Sequence, residues 1–292
     1  MAIVFPVAPG TDGIDVGLLG LEQYGASYVV QGTDGVALVE VGTSLGVPRL
    51  QAGLQALGIA PERITHILCT HVHMDHAGAA GHLAELCPRA FVVVHSRSQR
   101  HLADPARLVS SVSEAVGPLF PLYGELRPVP PERLLAGEEL RLDLGGGVRL
   151  EAVSTPGHSR DHLAFFAPYA GVLFSGDAAG VSIFDHTLLR PVTAPPAFDP
   201  QAMLGSLETM RALRPVRLCF THFGYSDQPD AVFDRLGEIL RRWDDLARTE
   251  GLAAAGAAVF AANLPPAGTP PETLWRQLAE MNRRGFLLAY GA

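Results

Sequence analysis

Apolar residues fall in short blocks along most of the chain, and Gly, Asp and Pro mark the breaks between them. Ala26–Gln31 and Val36–Val41, separated by Gly-Thr-Asp-Gly, predict a β-hairpin. Leu45–Leu57 carries apolar residues at helical spacing, and Gly58 closes it. A strand over Ile64–Thr70 follows, then a helix through Ala79–Leu86 with Pro88 just beyond it, then a buried strand over Ala90–His95. Glu139–Leu144 and Val148–Ser154 flank Gly145-Gly146-Gly147, while Leu163–Phe166 and Val172–Ser175 flank Ala167–Gly171, which predicts two more hairpins. Pro200–Leu213 reads as a helix and Val216–Thr221 as a strand. From Gln228 the period changes: Ala231–Leu246 and Pro271–Asn282 are amphipathic helices, with the Ala-rich Leu252–Ala262 between them. Ser96–Pro131 is less regular, with helical pieces and several prolines, and suits a lid over a pocket. Strands and helices alternating in this way predict a layered α/β protein with mixed sheets. The expected division is a catalytic domain over 1–228 and a helical segment over 229–292 that covers the pocket or forms an interface.

Composition narrows the choice of chemistry. Hydrophobic residues make up 48% of the 292, enough for a large core, and no apolar run approaches bilayer length. No membrane partner is expected, and no secretory signal is seen at Met1–Gly10. Cys69, Cys87 and Cys219 are few and widely spaced; Cys69 and Cys219 lie in apolar runs and read as core thiols, which points to a cytoplasmic location. The net charge is −8, and all 22 basic residues are arginines. A chain without lysine has no lysine nucleophile, Schiff base or P-loop lysine. The acidic balance and the lack of any basic stretch argue against a nucleic-acid partner.

The run His71-Val72-His73-Met74-Asp75-His76 then dominates the reading. Three imidazoles and a carboxylate leave the end of a strand together, and all are good ligands for a borderline metal ion. His158 in Thr155-Pro156-Gly157-His158, Asp177 in Ser175-Gly176-Asp177 and His222 in Thr221-His222-Phe223-Gly224 each also follow an apolar strand, where a sheet delivers functional side chains to one rim. Five histidines and two aspartates suit two metals with a bridging carboxylate. His66, His82 and His95 read as structural, and Gly145–Gly147 reads as a turn because no helix start follows it.

On these motifs the chain resembles the metallo-β-lactamase superfamily, in its hydrolase branch near glyoxalase II. The pattern His-x-His-x-Asp-His matches His71 to His76, and the later ligands match His158, Asp177 and His222 in order. The resemblance covers roughly the first three quarters of the chain and implies a four-layer αβ/βα sandwich with the metals at one edge. It further implies His71, His73 and His158 on one metal, Asp75, His76 and His222 on the other, and Asp177 between them. The cofactor would be two divalent ions, taken as zinc, although iron and manganese accept the same N and O ligands.

Two such ions lower the pKa of a shared water, so that a bridging hydroxide attacks a carbonyl polarised by the metal. Asp75 would orient the water and carry its proton to the leaving group. His162 sits where similar enzymes also have a histidine; it, His186 and Tyr225 are expected to contact the substrate or support the pocket. Ala178-Ala179-Gly180-Val181-Ser182-Ile183-Phe184 lacks glyoxalase II's Cys-Gly-basic-Phe-Phe-Glu-Gly pattern, and that enzyme's glutathione-binding lysines are absent. The Leu- and Phe-rich stretches 102–126 and 233–290 instead suggest an apolar pocket wall and a small ester, lactone or thioester substrate with a hydrophobic part. Two other readings are a mononuclear non-haem iron dioxygenase of the persulfide dioxygenase type and a non-catalytic binding protein of the same fold. The helical C-terminus is compatible with a homodimer.

Overall fold

A computed structural model describes residues 3–183, 188–267, 269 and 271–291. The first half of the chain builds a seven-stranded sheet whose spatial order follows the sequence: β1 (Val4–Ala8), β2 (Thr11–Asp15), β3 (Ala26–Gln31), β4 (Val36–Val39), β5 (Ile64–Leu68), β6 (Phe91–Val94) and β7 (Leu134–Ala136). β1 to β4 are antiparallel, and β4 to β7 run parallel. Of these parallel strands, β4 (Val-Ala-Leu-Val) and β6 (Phe-Val-Val-Val) are continuous apolar runs, as central strands covered on both faces require. The crossover from β4 to β5 is the helix α1 (Val47–Ala56). That from β5 to β6 holds α2 (Met74–Ala77) and α3 (Ala80–Leu86), and that from β6 to β7 holds α4 (Gln99–Ala103) and α5 (Ala106–Val116).

A second, six-stranded sheet contains β8 (Arg141–Asp143), β9 (Arg149–Ser154), β10 (Leu163–Ala167) and β11 (Val172–Phe174) as an antiparallel meander. A separate two-stranded ribbon, β12 (Val181–Ile183) with β13 (Leu188–Arg190), follows β11. The helix α6 (Pro200–Ala212) then returns the chain to the second sheet as β14 (Arg217–Cys219), parallel to β11, and β15 (Tyr225–Ser226) closes its edge. The C-terminus is α7 (Pro229–Thr249), α8 (Leu252–Ala262) and α9 (Glu272–Ala289).

Three separate apolar clusters define the layers. Val30, Val39, Leu68 and Val93 from the first sheet meet Leu150, Phe165, Phe174 and Cys219 from the second. Leu38, Ile67 and Val92 face the other way, onto Leu50 and Leu54 of α1 and Leu83 of α3. Leu173 and Leu218 point out of the second sheet onto Met203 and Leu207 of α6 and onto Phe233, Leu236 and Leu240 of α7. Side chains alternating across each strand thus produce helix, sheet, sheet and helix layers, an αβ/βα sandwich. The C-terminal helices share the core of the second sheet, and α9 spans two clusters through Trp275 and Phe286.

The expected hairpins form, with ends shifted by a residue or two. Three differences have physical causes. The β1–β2 pair was not expected, because Thr11-Asp12-Gly13-Ile14-Asp15 is too polar to read as a strand; pairing with β3 and the Phe5 ring lying over Gly13 bury it. The ribbon β12–β13 is three residues a side, below what periodicity can show. And α9 continues to Ala289 past Gly285. That glycine is not a stop: a Cβ there would stand 1.8 Å from the Thr193 carbonyl oxygen, so its bareness lets the helix lie on the chain at Thr193–Pro195.

Candidate metal centre

The seven expected ligands come together at the rim formed by the carboxyl ends of β5, β9, β11 and β14. After β5, the chain passes through Thr70 to His71 and His73 and then turns into α2, which carries Asp75 and His76. Backbone hydrogen bonds close the two sheets over this rim. Leu163 N–H donates to the Thr70 carbonyl at 2.7 Å, and Ala26 N–H donates to the Thr221 carbonyl at 2.8 Å. The Tyr28 hydroxyl, on the first sheet, is 2.5 Å from the Phe220 carbonyl oxygen and 2.6 Å from that of Gly224, on either side of His222.

The ligand atoms fall into two adjoining groups. His71 Nε2 and His73 Nδ1 are 2.9 Å apart, and His158 Nε2 lies 3.1 Å from the first and 3.0 Å from the second. His158 Nδ1 faces the Val192 carbonyl at 3.1 Å. A carbonyl only accepts, so Nδ1 carries the proton and the Nε2 lone pair points into the triangle. Three nitrogens held tetrahedrally at about 2.0 Å from one zinc stand roughly 3.3 Å apart, near the spacing seen here. In the second group His76 Nε2 and His222 Nε2 each lie 3.5 Å from Asp177 Oδ1 and 3.9 Å from Asp75 Oδ2. Asp177 Oδ2 turns the other way, 3.6 Å from His158 Nε2. One carboxylate thereby addresses both groups.

His76 Nε2 and Asp177 Oδ1 are buried without a hydrogen-bond partner. Buried polar atoms are rarely left so, and a cation between them satisfies both. The electrostatics agree. Burial, and then the neighbouring His76, His73 and His158 rings, push His71 well below its usual range. Burial, and then His158, take His73 down to about 4. Both rings therefore stay neutral, the form that ligates. Burial opposes the charged forms of His76 and Asp177, yet the charges around them prevail: the carboxylates of Asp177, Glu40 and Asp75 raise His76, and the rings of His76, His158 and His222 lower Asp177. The donor set fits divalent metal ions: His71, His73 and His158 would hold one, Asp75, His76 and His222 a second, and Asp177 lies between the two groups.

Four side chains that the sequence reading did not single out complete the site. Glu40, at the end of β4, is buried with a left-handed φ of 63°. Its Oε2 accepts from His76 Nδ1 and, at 3.0 Å, from the Thr221 hydroxyl, and its Oε1 accepts from Thr70 N–H at 2.7 Å. One acid within the apolar Val36–Val41 run was the available signal. Tyr24 packs against His222 with ring centroids 5.1 Å apart and planes tilted by 52°, and burial pushes its hydroxyl up to about 12. Tyr123, from the Ser96–Pro131 stretch, is buried where it feels the charges of Asp75 and Asp177. Arg190, at the end of β13, is buried, with Tyr24 and Asp177 the charges that act on it.

The expected substrate contacts fare differently. His162 is buried with both ring nitrogens engaged: Asp177 N–H donates to Nε2 at 3.0 Å, and Nδ1 faces the Thr155 hydroxyl at 2.8 Å. It holds the Asp177 backbone in place and has no nitrogen left for a substrate. Tyr225 lies under the Arg217 guanidinium, 3.9 Å from its ring centre, packed on the inter-sheet cluster rather than against the metal ligands. His186 lies outside the described residues. Cys69, Cys87 and Cys219 are free and buried.

Comparison with known proteins agrees with this geometry. Residues 21–222 match the metallo-beta-lactamase superfamily profile. A metallo-beta-lactamase fold-containing protein of Sulfurisphaera tokodaii is 27% identical over 238 residues, 80% of this chain and 85% of that protein. A hydroxyacylglutathione hydrolase of Idiomarina loihiensis is 31% identical over 114 residues, 39% of this chain but only 32% of that enzyme. The crystal structure of an archaeal metallo-beta-lactamase superfamily protein from Sulfolobus tokodaii superposes with a TM-score of 0.75 at 24% identity, over 97% of this chain and 99% of that one. With its ligand rim at one edge of an αβ/βα sandwich and most of its length matched by one family, the chain belongs to the metallo-beta-lactamase superfamily.

Proposed function

We propose that this protein is a two-metal hydrolase of a small ester, lactone or thioester. One observation carries the reading: the side chains of seven residues form two adjoining sets that share Asp177. Two divalent ions, zinc by preference, would supply an acidified water and polarise the substrate carbonyl. The chain itself does the rest. Asp177 fixes the spacing of the two sets. Asp75 is the one carboxylate of the seven that is partly exposed, with its side chain 20% accessible. Partly exposed and beside His76 and His222, it would hold the water's proton and pass it to the leaving group. Tyr24, Tyr123 and Trp275 form an aromatic flank, with the Tyr24 and Trp275 rings edge to face at 5.2 Å, so α9 helps cover the site and keep water out. Three buried free thiols support a cytoplasmic setting, and among the described residues no helix is long and apolar enough to cross a membrane.

The test is metal analysis of the purified protein followed by assay against esters, lactones and thioesters. Two zinc ions per chain with hydrolysis of one class supports the reading. A single iron with oxygen uptake would replace it with the dioxygenase, and full metal loading with no turnover of any class would favour a binding protein.

A further inference from the structure

We propose that Tyr28 is a positioning residue for His222: from the core between the sheets, its hydroxyl clamps the turn that presents His222 to the second ion. The inference rests on the two-ion reading of the neighbouring site and adds the device that holds its most isolated ligand.

Asp75 and His76 of the second set share α2, whereas His222 arrives alone on the turn between β14 and β15. A histidine ligand is ordinarily aimed by a hydrogen bond at its other ring nitrogen. His71 Nδ1 faces the Thr70 hydroxyl at 3.0 Å, His158 Nδ1 faces the Val192 carbonyl at 3.1 Å, and His76 Nδ1 donates to Glu40. His222 differs: among the described residues its Nδ1 is buried and has no hydrogen-bond partner. The tilted Tyr24 ring packs against it, but an apolar contact fixes direction less than a hydrogen bond does. The aim of this ring must therefore come from the backbone of its turn.

That backbone is strained. Phe223 and Gly224 are both left-handed, with φ of 76° and 78°. Glycine adopts this conformation readily, whereas the phenylalanine Cβ meets the carbonyl that follows it. Such a residue persists only where its surroundings over-determine it. Here the first sheet does so. Phe220 N–H donates to the Gly224 carbonyl at 3.0 Å and closes the turn. The Tyr28 hydroxyl, from β3, is 2.5 Å from the Phe220 carbonyl oxygen and 2.6 Å from that of Gly224, so one proton is shared between the two ends of the turn. The Phe5 ring, from β1, lies 5.0 Å from the Phe223 ring and edge to face with Tyr28 at 6.3 Å.

Packing alone does not account for the hydroxyl. Tyr28 is 1% exposed within the apolar cluster between the sheets, where phenylalanine would fill almost the same volume. A hydroxyl buried there costs free energy unless it is bonded, and its two acceptors are the carbonyls that bracket His222. Taking the oxygen away keeps the ring in the core and releases the turn.

Metal-free wild-type and Tyr28→Phe proteins are titrated with zinc by calorimetry, and His222→Ala marks the step that depends on that ligand. The step lost in His222→Ala should weaken in Tyr28→Phe by about 10- to 100-fold, while the step belonging to His71, His73 and His158 holds. Equal affinities in the two proteins overturn the clamp. So does an equal loss at both steps, which would assign Tyr28 to sheet packing alone. If the wild-type protein takes one ion only, the two-ion reading fails by itself, and hydrogen exchange of the metal-free proteins decides the clamp. Exchange over 220–224 that is faster by about tenfold in Tyr28→Phe, with 70–77 unchanged, supports it; a uniform rise or no change overturns it. Should Tyr28→Phe fail to fold, Phe5→Leu, which loosens the packing on Phe223, is read by the same two measurements with the same outcomes.

Discussion

Glu40 Oε2 accepts a hydrogen bond from His76 Nδ1, so the orientation of a ligand on α2 is set by a carboxylate at the end of β4. The bond fixes the proton on Nδ1 and turns Nε2 toward Asp177 and Asp75. Glu40 also ties Thr70 and Thr221, the residues immediately before His71 and His222. One side chain therefore positions both the β5–α2 connection and the segment that carries His222.

Glu40→Gln keeps the size and removes the charge. Its amide still reaches Thr70 but orients His76 poorly. Affinity for the ion held by His76 should fall by about 10- to 100-fold. Metal titration by calorimetry measures this directly, and full occupancy of both sites at the wild-type affinity would show that Glu40 does not act through His76.

Asp75→Ala separates chemistry from folding. The side chain is partly exposed and lies at the rim. Turnover should drop by about 100-fold or more, with a Tm change of no more than a few degrees. Wild-type hydrolysis by this variant would remove the proton-carrying role assigned to Asp75.

Gly176 holds φ at 52°, and a Cβ there would stand 2.6 Å from both His162 Nε2 and the Thr70 hydroxyl oxygen. Neither atom is the free end of a flexible chain. Gly176→Ala should destabilise the protein by about 1–3 kcal/mol, through the left-handed backbone and the displaced His162. Asp177 is the next residue, so metal binding should weaken in parallel. Thermal melts with and without added zinc test both effects; an unchanged melt would mean that the loop relaxes freely.

His162 gives a pH dependence with a definite sign. Burial, and then the neighbouring His158, bring its ring from 6.5 down to about 3. Between these values the unfolded ring holds a proton and the folded ring does not. The unfolded state then binds more protons, and stability falls as pH is lowered from 6.5 toward 3, by up to about 1.4 kcal/mol per unit for this group. His162→Gln should be less stable near neutrality and should show a shallower slope across that window. Denaturant melts at several pH values check it, and parallel slopes for the two proteins would refute the assignment.

Much of this site was legible because its ligands are of few types and sit at strand ends. His71, His73, Asp75 and His76 lie within six residues, and His158, Asp177 and His222 each follow an apolar run. The parallel strands β4, β5 and β6 were legible from their largely apolar runs, while β7, three residues long and only half-buried, was not. β2 was not: Thr11, Asp12 and Asp15 carry no such pattern, and only pairing with β3 makes them a strand. Tyr225 shows the reverse error. Three residues from His222, it looked close to the chemistry, but β15 turns it onto Arg217.

The sequence by itself determined the donor types, their order along the chain and a layered α/β protein with mixed sheets, because metal ligation depends on residue type and strand ends are marked by local pattern; the sandwich followed from the resemblance of those motifs to the family. Tertiary structure alone decided what surrounds those donors. Glu40, Tyr24, Tyr123 and Arg190 come from four distant segments, and nothing in Leu188-Leu189-Arg190 distinguishes that arginine from a solvated one. The state of a lone polar side chain is set by whether water or protein reaches it, and that depends on contacts between residues far apart in sequence.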